Sequence, residues 1–224
     1  MRIVSWNCHG AFREKHQIIK SLNADIYVIQ ECENPQRHEK AFSGFGFHAP
    51  YFWCGEKNSK GLGVFAFHDI SLEANQWETY CLRNFISLKV NNTFDLLCVW
   101  ACSPYIEEYY IYQAINFQHY TKDMVIIGDF NSNAKWDKEH ASRSHTCVVN
   151  SLGGLGLVST YHHLSGEQQG SESRNTFFQH FNVEKGYHID HCFVSPSKLE
   201  RFSVLDAKDW LSYSDHVPIL VEIK

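Results

Sequence analysis

Short apolar runs that end on a polar side chain constrain this chain more than any other feature. Met124-Val125-Ile126-Ile127 is followed directly by Gly128-Asp129-Phe130-Asn131. A brief, mostly β-branched run of this kind predicts a strand buried on both faces. Side chains two apart on extended chain point the same way, so Asp129 and Asn131 can serve one spot at the end of a core strand. The competing reading is an Asx turn, which both residue types favour at strand ends.

The pattern repeats. Residues 3–7 read as a strand ending on Asn7, and residues 25–30 (DIYVIQ) as a buried strand ending at Glu31. Residues 61–68, 85–90 and 94–102 supply further strands, with Asn91-Asn92 turning the last two into a hairpin. Residues 176–181, 188–194 and 217–223 supply the last ones. Helical spacing predicts a helix over 12–22, with Phe12, Ile19 and Leu22 on one face, and another over 109–120. A third is predicted over 147–152, stopped by Gly153-Gly154. Many strands with few long helices predict an α/β (α+β) class, with two packed sheets flanked by helices. No repeat or Pro/Gly/Ser linker divides the sequence, so residues 1–224 are expected to form one domain.

Composition narrows the function. The net charge of −5 argues against a coat protein that grips nucleic acid by charge alone. It does not argue against an enzyme whose bound cation offsets local acidity. The eight cysteines show neither CxxC pairs nor zinc spacing, and Cys98 and Cys102 fall in an apolar stretch. Free thiols in a reducing, cytoplasmic compartment are therefore expected. Residues 1–6 enter a strand pattern with no leader-like apolar region, and no apolar run suggests contact with a membrane. The 14 histidines are mostly dispersed, and each is expected to be exposed or locally satisfied.

Polar residues at strand ends carry the candidate chemistry. Asn7, Glu31, Asp129, Asn131, Asp190 and Asp215-His216 each adjoin an apolar strand. Several such groups at comparable positions can converge on one rim of a sandwich. Carboxylate and Asn oxygens suit a hard cation such as Mg²⁺ or Mn²⁺, which keeps waters and binds phosphate oxygens. A Ser nucleophile elbow, a Walker A loop and an HExxH helix are absent.

Five segments occur in a telling order: Ser5-Trp6-Asn7, Ile29-Gln30-Glu31, Gly128-Asp129-Phe130-Asn131, His188-Ile189-Asp190 and Ser214-Asp215-His216-Val217-Pro218-Ile219. The set resembles the endonuclease/exonuclease/phosphatase superfamily, and within it exonuclease III-like enzymes, over positions 5 to 219. The resemblance implies a four-layer αββα sandwich and metal-dependent phosphoester hydrolysis. It implies that Glu31 binds the divalent cation, with Asn7 and Asp215 close to it. Asp129 would orient or deprotonate the attacking water, and Asn131 would hold the phosphate or the water through its amide. His216 would donate to the phosphate, with Asp190 fixing its tautomer. Asp129 beside a cation should stay ionised, which suits an orienting role better than that of a strong base.

The sequence departs from the family at one place. The family sets a Tyr or His after the central strand, whereas residues 99–105 read VWACSPY, with nothing in register. Tyr105 is a candidate by type only. Arg174, with Lys57, Lys60, Lys135, Lys138 and Arg143, sits in a predicted loop and is a candidate for gripping phosphate. His68, His145 and His162-His163 are read as exposed loop residues. In Asn175-Thr176-Phe177-Phe178, core packing is expected of Phe178.

A DNA endonuclease or exonuclease is thus the first expectation, with a nucleic acid as its partner and no protein partner evident. Two alternatives stand beside it: a phosphodiesterase or phosphatase for a small or lipid-derived phosphate, and an RNA-directed nuclease.

Overall fold

The computed structural model describes residues 1–224, the side chain of Ala49 excepted. Its strands are β1 (Arg2–Asn7), β2 (Ile26–Cys32), β3 (His48–Lys57), β4 (Lys60–Ala66), β5 (Leu72–Ala74), β6 (Phe85–Val90) and β7 (Phe94–Trp100). They continue as β8 (Val125–Asp129), β9 (Val158–Ser159), β10 (Phe177–Phe178), β11 (Gly186–Tyr187), β12 (Asp190–Val194), β13 (Leu199–Val204) and β14 (Ile219–Ile223). One six-stranded sheet runs β13-β14-β1-β2-β4-β3 and the other β5-β6-β7-β8-β12-β9, while β10 and β11 form a separate ribbon.

Each sheet has one parallel pair at its centre, β1 with β2 and β7 with β8, and antiparallel partners outside it. Parallel neighbours need a crossover, and helices supply both. Phe12–Lys20 links β1 to β2, and Ile106–Asn116 links β7 to β8. This is the sandwich of two mixed sheets flanked by helices that the strand pattern predicts.

The apolar runs are continuous because both faces of the central strands are covered. On β7, Leu96 and Cys98 pack into the core shared with β1 and β2, while Leu97 and Val99 pack into a second core beneath Tyr109, Tyr112, Val148 and Leu152. On β8, Val125 and Ile127 face the first core and Ile126 the second. Inside the first core, the Gln30 amide donates to Ser5 Oγ at 2.9 Å and to the Val99 carbonyl at 3.2 Å, so one side chain ties the two sheets.

Several local expectations need correction. The second strand does not stop at Glu31 but continues to Cys32 through a register shift, with Glu31 at φ 57°. The strand expected over 94–102 ends at Trp100. Residues 176–181 hold a two-residue strand followed by a 3₁₀ turn, Gln179–Phe181. Gly153 and Gly154 lie inside the helix His145–Gly154, and the left-handed residue that follows is Gly156, at φ +84°. All eight cysteines are free thiols, but Cys102 is only half-buried. Among the described residues, no helix is long and apolar enough to cross a membrane.

Candidate active site

The sheet centres deliver polar side chains to one rim. β1 ends on Asn7, β8 ends on Asp129 and β12 begins with Asp190. In the β8–β12 ladder Asp190 lies directly across from Asp129, so both carboxylates stand on the same face. The Ser214–His216 turn, just before β14, is clamped there by short bonds. Ser214 Oγ donates to the Asn7 carbonyl at 2.7 Å and accepts the His216 N–H at 3.0 Å. Trp6 Nε1 donates to the His216 carbonyl at 3.0 Å. The first and last of the five motifs are therefore one structural unit.

Asp129 is fully buried and accepts three hydrogen bonds. Asn7 Nδ2 reaches Oδ2 at 3.0 Å, Asn131 Nδ2 reaches Oδ2 at 3.1 Å, and the Asn131 backbone N–H reaches Oδ1 at 2.8 Å. The last is an Asx turn. The Asx-turn reading therefore holds: β8 ends at Asp129, Asn131 has left-handed backbone (φ 48°), and the turn folds it back onto Asp129. Asn131 Nδ2 also donates to the Ala101 carbonyl at 3.0 Å. Its amide protons are thereby committed to protein acceptors.

His216 is buried and its Nδ1 lies 2.9 Å from Asp190 Oδ2. Asp190 is itself fixed by Thr176, whose Oγ1 accepts the N–H groups of both Ile189 and Asp190 at 3.0 Å. Burial opposes a charged imidazole, yet Asp190 and Asp129 outweigh it and raise the His216 pKa to about 9. Burial and the neighbouring Asp190 push the Asp129 carboxyl up, against the pull of His216 and Asn7. Without a cation, then, Asp129 is a more basic carboxylate than the sequence suggests. That is the direction a proton acceptor requires.

Asp129, Asp190 and His216 offer ligand atoms that all lie within 4.8 Å of one another. With Nδ1 of a protonated His216 bound to Asp190, this trio is an acid–base network rather than a ligand cage. Of the expected cation ligands, Asn7 bonds Asp129 and Asp215 precedes His216, while Glu31 follows Gln30, which lies across from Asn7 in the β1–β2 ladder. Asp215 Oδ1 meets His9 Nδ1 at 3.1 Å, Asn7 Oδ1 accepts the His9 N–H at 3.1 Å, and Glu31 Oε2 meets Lys60 Nζ at 2.5 Å. Each carboxylate faces a nitrogen group that can carry positive charge. An oxygen-rich donor set of this kind fits a hard divalent cation.

Nothing in the sequence marks His9 or Thr176 as functional, and Lys60, a loop candidate for phosphate, lies on β4 and pairs with Glu31 instead. His9 is placed by a left-handed backbone (φ 55°) and packs edge-on against Phe181. Thr176 and Phe178 are both buried, Phe178 as expected.

Beside the network opens a cavity of about 480 Å³, bounded by Asn131, Trp136, Phe177, Tyr187, Ile189 and the half-exposed Tyr105. Arg174 is elsewhere. Its guanidinium pairs with Asp206 at 2.8 Å and bonds the Val204 carbonyl at 3.0 Å, beside a separate hollow, so it is not brought to the cluster.

His68 and His163 are exposed as expected, and His68 pairs with Asp25; the expectations for His145 and His162 need correction. His145 and His162 join His188 and His191 in a network behind the catalytic strands. Ring centroids lie 4.7 Å apart for His145–His191, 5.1 Å for His188–His191 and 5.9 Å for His162–His188. Burial holds His145 down at about 4 and pushes His188 and His191 down too. Glu172 is the anion of this network. Burial opposes its charge, but bonds from His162, Asn133 and the Gly170 N–H keep it ionised, at about 2. Asn133 bridges Glu172 and the His188 carbonyl, each at 3.0 Å, which stiffens the segments carrying Asn131 and Asp190.

The sequence pattern of the Endonuclease/Exonuclease/phosphatase family matches residues 4–216, and the chain belongs to that family. It is accordingly a hydrolytic phosphoesterase. It is similar to Recombination repair protein 1 of Drosophila melanogaster, at 23% identity over 256 residues. That match takes in 99% of this chain but only 37% of the fly protein. Among solved structures it resembles the 3′ phosphatase NExo from Neisseria bound to a product DNA hairpin, with TM-score 0.72 and 20% identity over 100% of this chain and 99% of that one. An AP endonuclease from Archaeoglobus fulgidus superposes with TM-score 0.70 and 18% identity, over 100% of this chain and 99% of the other.

Proposed function

We propose that residues 1–224 act as one catalytic domain, a divalent-cation-dependent phosphodiesterase whose substrate is a nucleic acid, DNA in the first place. The observation that carries this is the buried chain Asp190–His216 alongside Asn7–Asp129–Asn131. It sets a cationic donor and a raised-pKa carboxylate at one rim. A phosphodiester is anionic and repels an incoming water, so its oxygens must be neutralised while the water is stripped of a proton.

Asp129 takes that role at the water, orienting it and accepting its proton. Asn131 acts on Asp129 and the water, not on the phosphate, because its amide protons already serve Asp129 and Ala101. His216 offers Nε2–H to a phosphate oxygen, since Nδ1 is tied to Asp190. Glu31, Asn7 and Asp215 would hold Mg²⁺ or Mn²⁺, which supplies charge neutralisation at the phosphate. Tyr105 stands at the rim of the adjoining cavity, where a substrate passes.

The choice of DNA rests on similarity to proteins named for DNA or repair, one of them bound to a DNA hairpin. A DNA-repair role in the cytoplasm is the pathway this reading implies, and eight free thiols suit a reducing compartment. A substrate panel tests it. With Mg²⁺ or Mn²⁺, linear duplex, abasic duplex and single-stranded DNA should be cut faster than RNA, inositol phosphates or sphingomyelin. Cleavage should weaken steeply with salt as phosphate contacts are screened. Turnover confined to the small or lipid phosphates would overturn the nuclease assignment.

A further inference from the structure

The β8–β12 ladder ends at the catalytic carboxylates, and a side chain carries it one step further. Asp129 lies across from Asp190, and the Phe130 N–H still reaches the Ile189 carbonyl at 3.0 Å. There the two backbones part, because Asn131 turns into the left-handed region (φ 48°). The next carbonyl, that of His188, accepts from the Asn133 side chain instead, with Nδ2 at 3.0 Å. Asn133 is buried and stands two residues after Asn131, while His188 stands two residues before Asp190. One amide therefore ties the turn that carries Asn131 to the strand entry that carries Asp190.

Glu172 aims that amide. Its side chain is only 1% exposed, although it belongs to the polar loop 166–175 (GEQQGSESRN). A buried carboxylate is costly unless its oxygens are bonded, and here both are. Oε2 accepts from Asn133 Nδ2 at 3.0 Å, and Oε1 accepts the Gly170 N–H at 2.7 Å and faces His162 Nε2 at 3.0 Å. His162 is anchored in turn, its Nδ1 2.7 Å from Ser159 Oγ on β9, which pairs with β12. Asn133 Oδ1 accepts the Lys135 N–H at 3.0 Å, so flipping the amide would lose three bonds and set its oxygen against the Glu172 carboxylate. Because Asn133 bonds Glu172, Lys135 and the His188 carbonyl, it reaches Asn131 and Asp190 through the backbone alone.

We infer that Glu172 and Asn133 are positioning residues for the hydrolysis, Glu172 acting through Asn133. Together they set the spacing between the Asp129–Asn131 turn, which serves the water, and Asp190, which holds His216 for the phosphate. Loss of either residue lets those two halves of the site drift apart while the groups that touch substrate all remain. This rests on the phosphodiesterase reading above and goes beyond it by giving a task to a buried acid and an amide outside the catalytic network.

The test follows hydrolysis of bis-p-nitrophenyl phosphate with Mg²⁺ or Mn²⁺ in wild type, Glu172→Ala, Glu172→Gln, Asn133→Ala and the double alanine variant. Unfolding midpoints are measured for each. Val148→Ala, which opens a cavity in the second core, is the destabilised control away from the rim and should keep the wild-type kcat. A misplacement of about 1 Å can cost about 10²-fold, so kcat should fall by about 10–100-fold in each single alanine variant. KM should stay near the wild-type value, because no substrate contact is removed. Glu172→Gln keeps an oxygen for Asn133 and should recover much of the loss. Since Glu172 acts through Asn133, the double variant should be no slower than Asn133→Ala. A kcat close to wild type in both folded alanine variants overturns the positioning role and leaves the hydrolase standing. So does a loss carried by KM, a glutamine variant no better than alanine, or losses that multiply in the double variant. Where one alanine variant fails to fold, the other, or Glu172→Gln with its smaller loss of kcat, decides by the same criteria. Wild type without turnover overturns both readings.

Discussion

His216→Ala should lower kcat for phosphodiester hydrolysis by about 10²–10³-fold, the usual cost of removing one donor to a developing oxyanion. His216 is the one positively charged side chain in the buried network, and its charge exists because Asp190 and Asp129 hold it. The same variant should reshape the pH profile. In wild type, activity requires His216 protonated and Asp129 ionised. The alkaline limb should therefore fall as pH rises through about 9, and the acid limb should track the raised Asp129 carboxyl. Without the imidazole the limb near pH 9 disappears. The sign carries over to stability. The free imidazole titrates near ~6.5, and the folded value is higher. Its contribution is therefore complete below about 6.5 and is lost as pH climbs through the folded value. An alkaline limb unchanged in His216→Ala would contradict the assigned role.

Gly128→Ala should be the most damaging single methyl in the molecule. A Cβ at Gly128 would stand 1.9 Å from the Val99 carbonyl oxygen and 2.7 Å from its carbon, at a backbone φ of +154°. Both contacts are backbone, in the parallel β7–β8 ladder at the centre of a sheet, so no side chain can move aside. Overpacking and backbone strain together should cost about 4 kcal/mol, a large share of the ~5–15 kcal/mol that holds a domain together. Denaturant midpoints measure it directly. A variant as stable as wild type would mean that the β7–β8 register described above is wrong.

Gly128 also shows how the sequence could be read and where reading stopped. The apolar runs at β1, β2, β7 and β8 were legible because strands covered on both faces must be apolar throughout. The edge strand β3 was missed, since HAPYFWCGEK carries Pro50 and Gly55 and an edge tolerates both. β13, the other edge of that sheet, is half-exposed and lacks a clear apolar signal. Asn91 and Asn92 do turn the β6–β7 hairpin, both with left-handed backbone (φ 48° and 54°).

At the rim, the motif carboxylates and His216 are legible because each adjoins an apolar strand. What surrounds them was not. Lys60 meets Glu31 because β4 runs beside the irregular end of β2. His145, His162, His188 and His191 converge from different segments of chain, and no periodicity announces that. Thr176 matters through one oxygen that accepts two backbone N–H groups, which leaves no mark on composition. Arg174 stands out in the sequence by its charge alone, and Asp206, an acid 32 positions further along the chain, pairs with that charge.

Whether a cation acts beside the Asp129–His216 network, as proposed for Glu31, Asn7 and Asp215, is tested most directly by one measurement. Hydrolysis of bis-p-nitrophenyl phosphate is followed by purified wild type and Asp129→Ala, with Mg²⁺, with Mn²⁺ and with EDTA. The account predicts turnover with either cation, none in EDTA, and a loss of about 10²–10⁴-fold in Asp129→Ala, the range for a positioned base. Turnover that persists in EDTA, or that survives Asp129→Ala at the wild-type rate, would contradict it.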